Sequence, residues 1–208
     1  MIAIIDYNAG NLTSVKRAMD RLGRKSVITD DCSSIARAER IIFPGVGAAG
    51  RAMTDLKKKG LDRALIEAFN EKKPILGICL GTQIIMERSE ENDTECLGII
   101  RGKVKRFAVE SSGLKVPHMG WNSVMLRRKH PLFQGVEPDS EFYFVHSYYP
   151  LPDDPDRVLG ETDYIARFAS ALSAGNLAAM QFHPEKSGEP GLKILDNFCK
   201  WDGRDYVE

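Results

Sequence analysis

The sequence has no excess of charge of either sign: 29 lysines and arginines balance 29 aspartates and glutamates. A balanced chain lacks the basic footprint that draws nucleic acid or an anionic membrane, so neither is expected as a partner. No apolar run approaches the roughly 20 residues of a membrane-spanning helix. The N-terminal stretch Met1 to Asp6 lacks the basic flank of a secretory signal, so the cytoplasm is the expected compartment. Cysteine is scarce. Cys32, Cys79, Cys96 and Cys199 include no Cys-x-x-Cys pair, which argues against zinc and redox motifs. In a reducing compartment they are expected as free thiols. The four histidines show no His-x-x-x-His spacing, so no metal site is expected; no cofactor is expected either. Repeats, low-complexity segments and linkers are also missing.

What is present fits a globular chain. The 208 residues, 43% hydrophobic, can bury a sizeable core, and we expect one domain over 1–208. Ile2 to Asp6, Ser26 to Thr29, Arg40 to Phe43 and Ile75 to Ile78 read as strands. Asn8 to Asn11 reads as a turn. Leu12, Val15, Ala18, Met19 and Leu22 then recur at helical spacing, and Gly23 closes that helix. Helical patterns also span Ala48 to Lys58 and Leu61 to Asn70. This alternation predicts an α/β fold: an open, mostly parallel sheet with helices on both faces. The second half is strand-rich. Val104 to Phe107, Trp121 to Leu126, Phe142 to Tyr149, Tyr164 to Ala169 and Ala178 to Phe182 read as strands. Ser173 to Asn176 reads as a hairpin turn and Pro150 to Pro155 as a surface loop. Pro190 to Trp201 returns to helical period.

The most informative segment is Gly77-Ile78-Cys79-Leu80-Gly81-Thr82-Gln83. Glycines two positions either side of a nucleophile allow a sharp strand-to-helix bend. Such a bend places the sulfur at a helix N-terminus, which favours the attacking thiolate. Alone, the motif also fits a core cysteine at an ordinary turn. A cysteine nucleophile needs a proton carrier, and His183-Pro184-Glu185 supplies a candidate. The imidazole suits the task, and a carboxylate two residues on can hold its second ring nitrogen. Alone, that trio also fits a surface loop. Pro44-Gly45-Val46-Gly47 ends a strand. It reads as a simple turn or as an oxyanion hole, with the amide of Leu80 as the second donor.

In this order, Pro-Gly-x-Gly, Gly-x-Cys-x-Gly-x-Gln and His-Pro-Glu resemble a class I glutamine amidotransferase, over nearly the whole chain. The resemblance implies a flavodoxin-like fold and a Cys79–His183–Glu185 triad that hydrolyses glutamine through a glutamyl thioester. It gives Gly45, Val46, Gly47 and Leu80 an oxyanion role and Gln83 a share in holding the substrate. Three further segments, Asp6 to Leu12, Pro117 to Asn122 and Tyr143 to Tyr148, resemble glutaminase subunits that feed ammonia to a cyclase in histidine biosynthesis. Asn8 departs from that pattern, since many relatives carry glycine there. The resemblance implies a heterodimer with a (β/α)₈-barrel cyclase, faced by Trp121, Asn122, Tyr143 and Lys186. On pattern alone, Trp121 and the aromatic stripe Phe142 to Tyr149 fit a core better than an interface. His118 and His146 also read as core residues. The alternatives are a glutaminase subunit for pyridoxal phosphate, anthranilate or aminodeoxychorismate synthesis, a cysteine peptidase or γ-glutamyl hydrolase, and a non-catalytic regulatory subunit.

Overall fold

The computed structural model describes residues 1–108 and 113–204. The chain opens with β1 (Ile2–Ile5), α1 (Leu12–Arg21), β2 (Ser26–Thr29), α2 (Cys32–Arg37) and β3 (Arg40–Gly45). It continues through α3 (Ala49–Lys59), α4 (Leu61–Asn70), β4 (Ile75–Cys79) and α5 (Leu80–Ile84). Short strands β5 (Arg88–Ser89) and β6 (Thr94–Glu95) precede β7 (Gly102–Arg106), β8 (His118–Ser123) and β9 (Met125–Leu126). Then follow β10 (Glu141–His146), β11 (Tyr148–Pro152), β12 (Val158–Asp163), β13 (Arg167–Ala174), β14 (Leu177–Met180) and α6 (Gly188–Lys200).

One eight-stranded sheet runs in the order β2-β1-β3-β4-β14-β13-β12-β9. Its first five strands are parallel neighbours, and the last three add antiparallel. The parallel strands β1 and β4 are buried at every position, which explains their unbroken apolar composition. Helices cover both faces. One core layer joins the sheet to α2, α3, α4 and α5 through Ile35, Leu56, Leu65 and Ile84. The other joins it to α1 and α6 through Val15, Met19, Leu195 and Phe198. The open, mostly parallel sheet with two helical layers is the architecture expected from the alternation of elements.

The strand-rich half differs in detail from the expected spans. Phe142 to Tyr149 is two strands, because the chain breaks at Ser147 and passes from the β10–β8 pair to the β11-β7-β5-β6 sheet. Within β10 the pleat alternates, with Phe142, Phe144 and His146 buried and Tyr143 and Val145 half-buried. Trp121 to Leu126 also divides, into the end of β8 and the short β9. Pro150 to Pro152 is strand rather than loop, since β11 pairs with β7 as an edge strand, where proline is tolerated. Tyr164 lies in a turn before β13. The hairpin at 173–176 closes β13 onto β14 around Gly175, at φ 58°.

Candidate active site

Four neighbouring strands deliver the site from their carboxyl ends, where open parallel sheets bind ligands. β1 leads into Tyr7 and Asn11, β3 ends at Gly45, β4 ends at Cys79, and β14 leads into Gln181 and His183. Gly45 and Cys79 are direct register partners across the β3–β4 ladder. The expected oxyanion turn and the expected nucleophile are therefore fixed side by side by backbone hydrogen bonding.

Cys79 has φ 53° and ψ −104°, outside the ordinary regions for a side chain with a Cβ. The surrounding packing holds this strained bend. A Cβ on Gly81 would lie 1.9 Å from the Phe43 carbonyl oxygen, and one on Gly77 would lie 3.1 Å from the Ala179 Cβ. The elbow glycines thus permit close approach of helix to strand. In the Pro44–Gly47 turn the two glycines have different causes. A Cβ on Gly45 would lie 1.8 Å from the Tyr7 hydroxyl, whereas Gly47 faces open space but has φ +107°.

His183 and the Glu185 side chain are wholly buried, and His183 Nδ1 lies 2.7 Å from Glu185 Oε1. The short helical turn Pro184–Lys186 presents the carboxylate to the ring. Burial opposes charge on the imidazole, but the Cys79 sulfur and the Glu185 carboxylate outweigh it and raise the ring to about 10. The Cys79 sulfur is near enough to shape this charge. Even so, His183 Nε2 is buried without a hydrogen-bond partner. Cys79 is 5% exposed, so its side chain is largely covered by the packing around the elbow.

Asn11, at the end of the expected turn, belongs to the same cluster. Its Nδ2 donates to Glu185 Oε1 and lies 3.4 Å from His183 Nδ1. Its left-handed φ of 74° is one that asparagine tolerates better than most side chains. Nothing local in the sequence links residue 11 to residue 185. Gln83 is buried, and its Nε2 donates to the Tyr148 carbonyl at 2.9 Å and to Gln181 Oε1 at 3.1 Å. Both amide hydrogens are thereby engaged, leaving an acceptor oxygen.

Of the four residues expected at a partner face, Tyr143 and Lys186 adjoin His183 and Trp121 packs on Tyr143. The Trp121 and Tyr143 rings meet edge to face at 6.1 Å, and Lys186 Nζ stands 5.8 Å from the centre of the Tyr143 ring. Trp121 is 54% exposed, so it is a surface residue and not part of the core. Asn122 is half-buried and donates to the Asp163 carbonyl at 3.0 Å. His118 and His146 are buried, as expected of core residues, and bond to each other at 3.0 Å. Among the described residues no group of three or more His, Cys, Asp or Glu side chains could hold a metal. No helix among them is long and apolar enough to cross a membrane.

A sharply bent cysteine beside a glycine turn and a histidine–carboxylate pair is an arrangement chemically suited to thiol-based amide hydrolysis. The family model for class-I glutamine amidotransferases matches residues 3–201. The chain belongs to the class I glutamine amidotransferases. Within that family it is similar to proteins named imidazole glycerol phosphate synthase subunit HisH. The one from Maridesulfovibrio salexigens is 49% identical, covering 97% of this chain and 97% of its own. The one from Nitratidesulfovibrio vulgaris (strain Miyazaki F) is 50% identical, covering 96% of this chain and 98% of its own. Among solved structures, PurLQS from Thermotoga maritima superposes with a TM-score of 0.73 at 18% identity, covering 96% of this chain and 97% of that one. A crystal structure of a glutamine amidotransferase gives 0.71 at 17% identity, covering 96% and 100%. At that identity the likeness concerns the fold.

Proposed function

We propose that residues 1–208 form one glutaminase domain that releases ammonia from glutamine for a cyclase subunit in histidine biosynthesis. The observation that carries this reading is the strained Cys79 at the β4–α5 elbow, in register with Gly45 and beside the His183–Glu185 pair.

In this mechanism the Cys79 thiolate attacks the side-chain amide carbon of glutamine. The negative charge that develops on the amide oxygen is stabilised by backbone N–H groups of Leu80 and of the Gly45-Val46-Gly47 turn. His183, held by Glu185, gives its proton to the departing nitrogen, and ammonia leaves with a glutamyl thioester formed on Cys79. His183 then takes a proton from water, which attacks the thioester. Glutamate leaves and the thiolate is restored. Gln83, with an acceptor oxygen left over, holds the substrate's ammonium end. No step calls on a metal or cofactor.

The partner is a cyclase with a (β/α)₈ barrel, forming a heterodimer through Trp121, Asn122, Tyr143 and Lys186. There ammonia joins a phosphoribulosyl-formimino nucleotide, giving imidazole glycerol phosphate and aminoimidazole carboxamide ribotide. The buried Cys79 and the unpartnered His183 Nε2 support control by the partner, since ammonia released unused would be lost. The cytoplasm is the setting that fits free thiols and a soluble nucleotide substrate.

The test is glutamate release by the purified chain, alone and with the cyclase plus its nucleotide ligand. Weak release alone that rises strongly in the complex supports the reading. Strong release that ignores the cyclase keeps the thiol chemistry and rejects the histidine pathway.

A further inference from the structure

Gln181 follows β14 and is wholly buried, and its Nε2 lies 3.8 Å from the Cys79 sulfur. The two ends of a glutamine amide have nearly the same shape, so the orientation needs an argument. A backbone carbonyl supplies it. The Tyr148 oxygen can only accept, and it sits 2.9 Å from one end of the Gln83 amide. That end is therefore nitrogen. The same nitrogen lies 3.1 Å from Gln181, whose facing atom must then be the acceptor Oε1. The amide nitrogen of Gln181 is left facing the sulfur.

The Tyr148 carbonyl orients a second branch by the same logic. His146 Nδ1 lies 2.8 Å from it and must donate. Burial keeps His146 and His118 neutral, at about 3 and about 4. A neutral ring that donates at Nδ1 accepts at Nε2. His146 Nε2 therefore accepts from His118 Nδ1 at 3.0 Å, and His118 Nε2 accepts from Asn122 Nδ2 at 3.4 Å. Every bond in the network has one permitted direction, and both branches meet at Tyr148.

We propose that Gln181 is a positioning residue for the nucleophile. Its amide N–H holds the Cys79 sulfur in place, in an orientation imposed by the Tyr148 carbonyl through Gln83. The inference rests on Cys79 being the nucleophile. An N–H donor at the sulfur fixes the direction from which the sulfur attacks, so reactivity at Cys79 reports the contact.

Two full-length variants test this. Gln181→Met keeps much of the volume and removes the donor, and Gln181→Glu keeps the shape but presents an acceptor. Each is measured for melting temperature, for glutamine turnover in complex with the cyclase, and for Cys79 alkylation by iodoacetamide at neutral pH. Alkylation is read by peptide mass spectrometry, because Cys32, Cys96 and Cys199 are also present. Gln181→Met is expected to slow Cys79 alkylation and kcat about ten-fold each, with KM held within about two-fold. Gln181→Glu is expected to slow both further. Wild-type alkylation in either folded variant overturns the proposal, as does a loss confined to KM or to melting temperature. Alkylation needs no glutamine, so it is read apart from the proposed reaction. A wild-type chain that alkylates at Cys79 but never releases glutamate would sink the glutaminase mechanism and leave the Gln181 contact standing.

Discussion

The backbone N–H of His183 donates to the carbonyl of Tyr143 at 2.9 Å, while the N–H of Tyr143 donates to the Ser187 hydroxyl at 3.0 Å. Strand β10 is thus stitched to the segment that carries the histidine and its carboxylate. Tyr143 also meets Trp121 and Lys186 on the outer surface. Main-chain bonds therefore connect that surface to the segment that holds His183. Replacing Trp121 with alanine should weaken cyclase binding by about 2 kcal/mol, roughly thirty-fold in affinity, with an unchanged melting temperature. Calorimetric titration checks the first value and thermal unfolding the second. An unchanged affinity would remove Trp121 from the interface.

Cys79→Ala should lower glutamine turnover in the complex at least about ten-thousand-fold. It should also lower the His183 pKa from about 10, because burial then acts against Glu185 alone. The sign for stability follows. His183 lies above its ordinary 6.5, so its stabilisation is complete below pH 6.5 and is lost as pH rises toward 10. NMR titration of the ring in the wild type and the variant reads the difference directly. An unshifted midpoint would mean that the sulfur has no part in the charge.

Asn11 can be separated from its backbone role by choice of substitution. Asn11→Gly keeps the left-handed φ and removes only the amide, so melting should hold within about 1 kcal/mol. Turnover should fall on the order of ten-fold, because Glu185 loses a donor that fixes it. Asn11→Ala should add a loss in stability. Full activity in the glycine variant would reduce Asn11 to a turn residue.

Gly81→Ala forces a methyl group against the Phe43 carbonyl, 1.9 Å away. A backbone atom cannot swing aside as a side-chain tip can. The expected cost is about 3 kcal/mol, or roughly 6–12 °C in melting temperature. Differential scanning calorimetry decides it, and an unchanged transition would show that α5 can retreat from β3.

His118 and His146 should give the fold an acid weakness. Below pH 6.5 the unfolded chain protonates these rings, while the folded chain resists until about 4 and about 3. Their contribution is complete above pH 6.5 and is lost as pH falls through that window. Replacing both with phenylalanine should flatten the dependence of urea stability on pH by up to two protons. An equally steep dependence in the double variant would assign the acid weakness to other groups.

The parallel strands and their helices were legible because burial on both faces leaves β1 and β4 with unbroken apolar runs, while α1 keeps an apolar stripe. The elbow was legible because close helix–strand packing requires glycine at 77 and 81. Four elements escaped for physical reasons, β5 and β6 because two residues show no alternation. α2 has only six residues, too few to show a period, although Asp31 caps it through the Ser33 and Ser34 amides. β12 carries Gly160, Glu161 and Asp163 and a broken register against β13, so it shows no strand alternation. Within the site, Cys79, His183 and Glu185 were legible because their chemistry sits in short motifs. Tyr7, Asn11 and Gln181 were not, since each acts on residues far away in the chain.

The Gly45–Cys79 pairing works as a ruler. Adjacent strands keep a spacing of about 4.8 Å that side-chain substitution does not alter. The gap between glycine turn and sulfur is therefore a property of the sheet, and sequence drift in the helices cannot widen it. Anyone refitting this scaffold to a bulkier amide would have to leave that gap alone. The room would have to be found elsewhere around the site, in side chains that no ladder holds at a fixed distance.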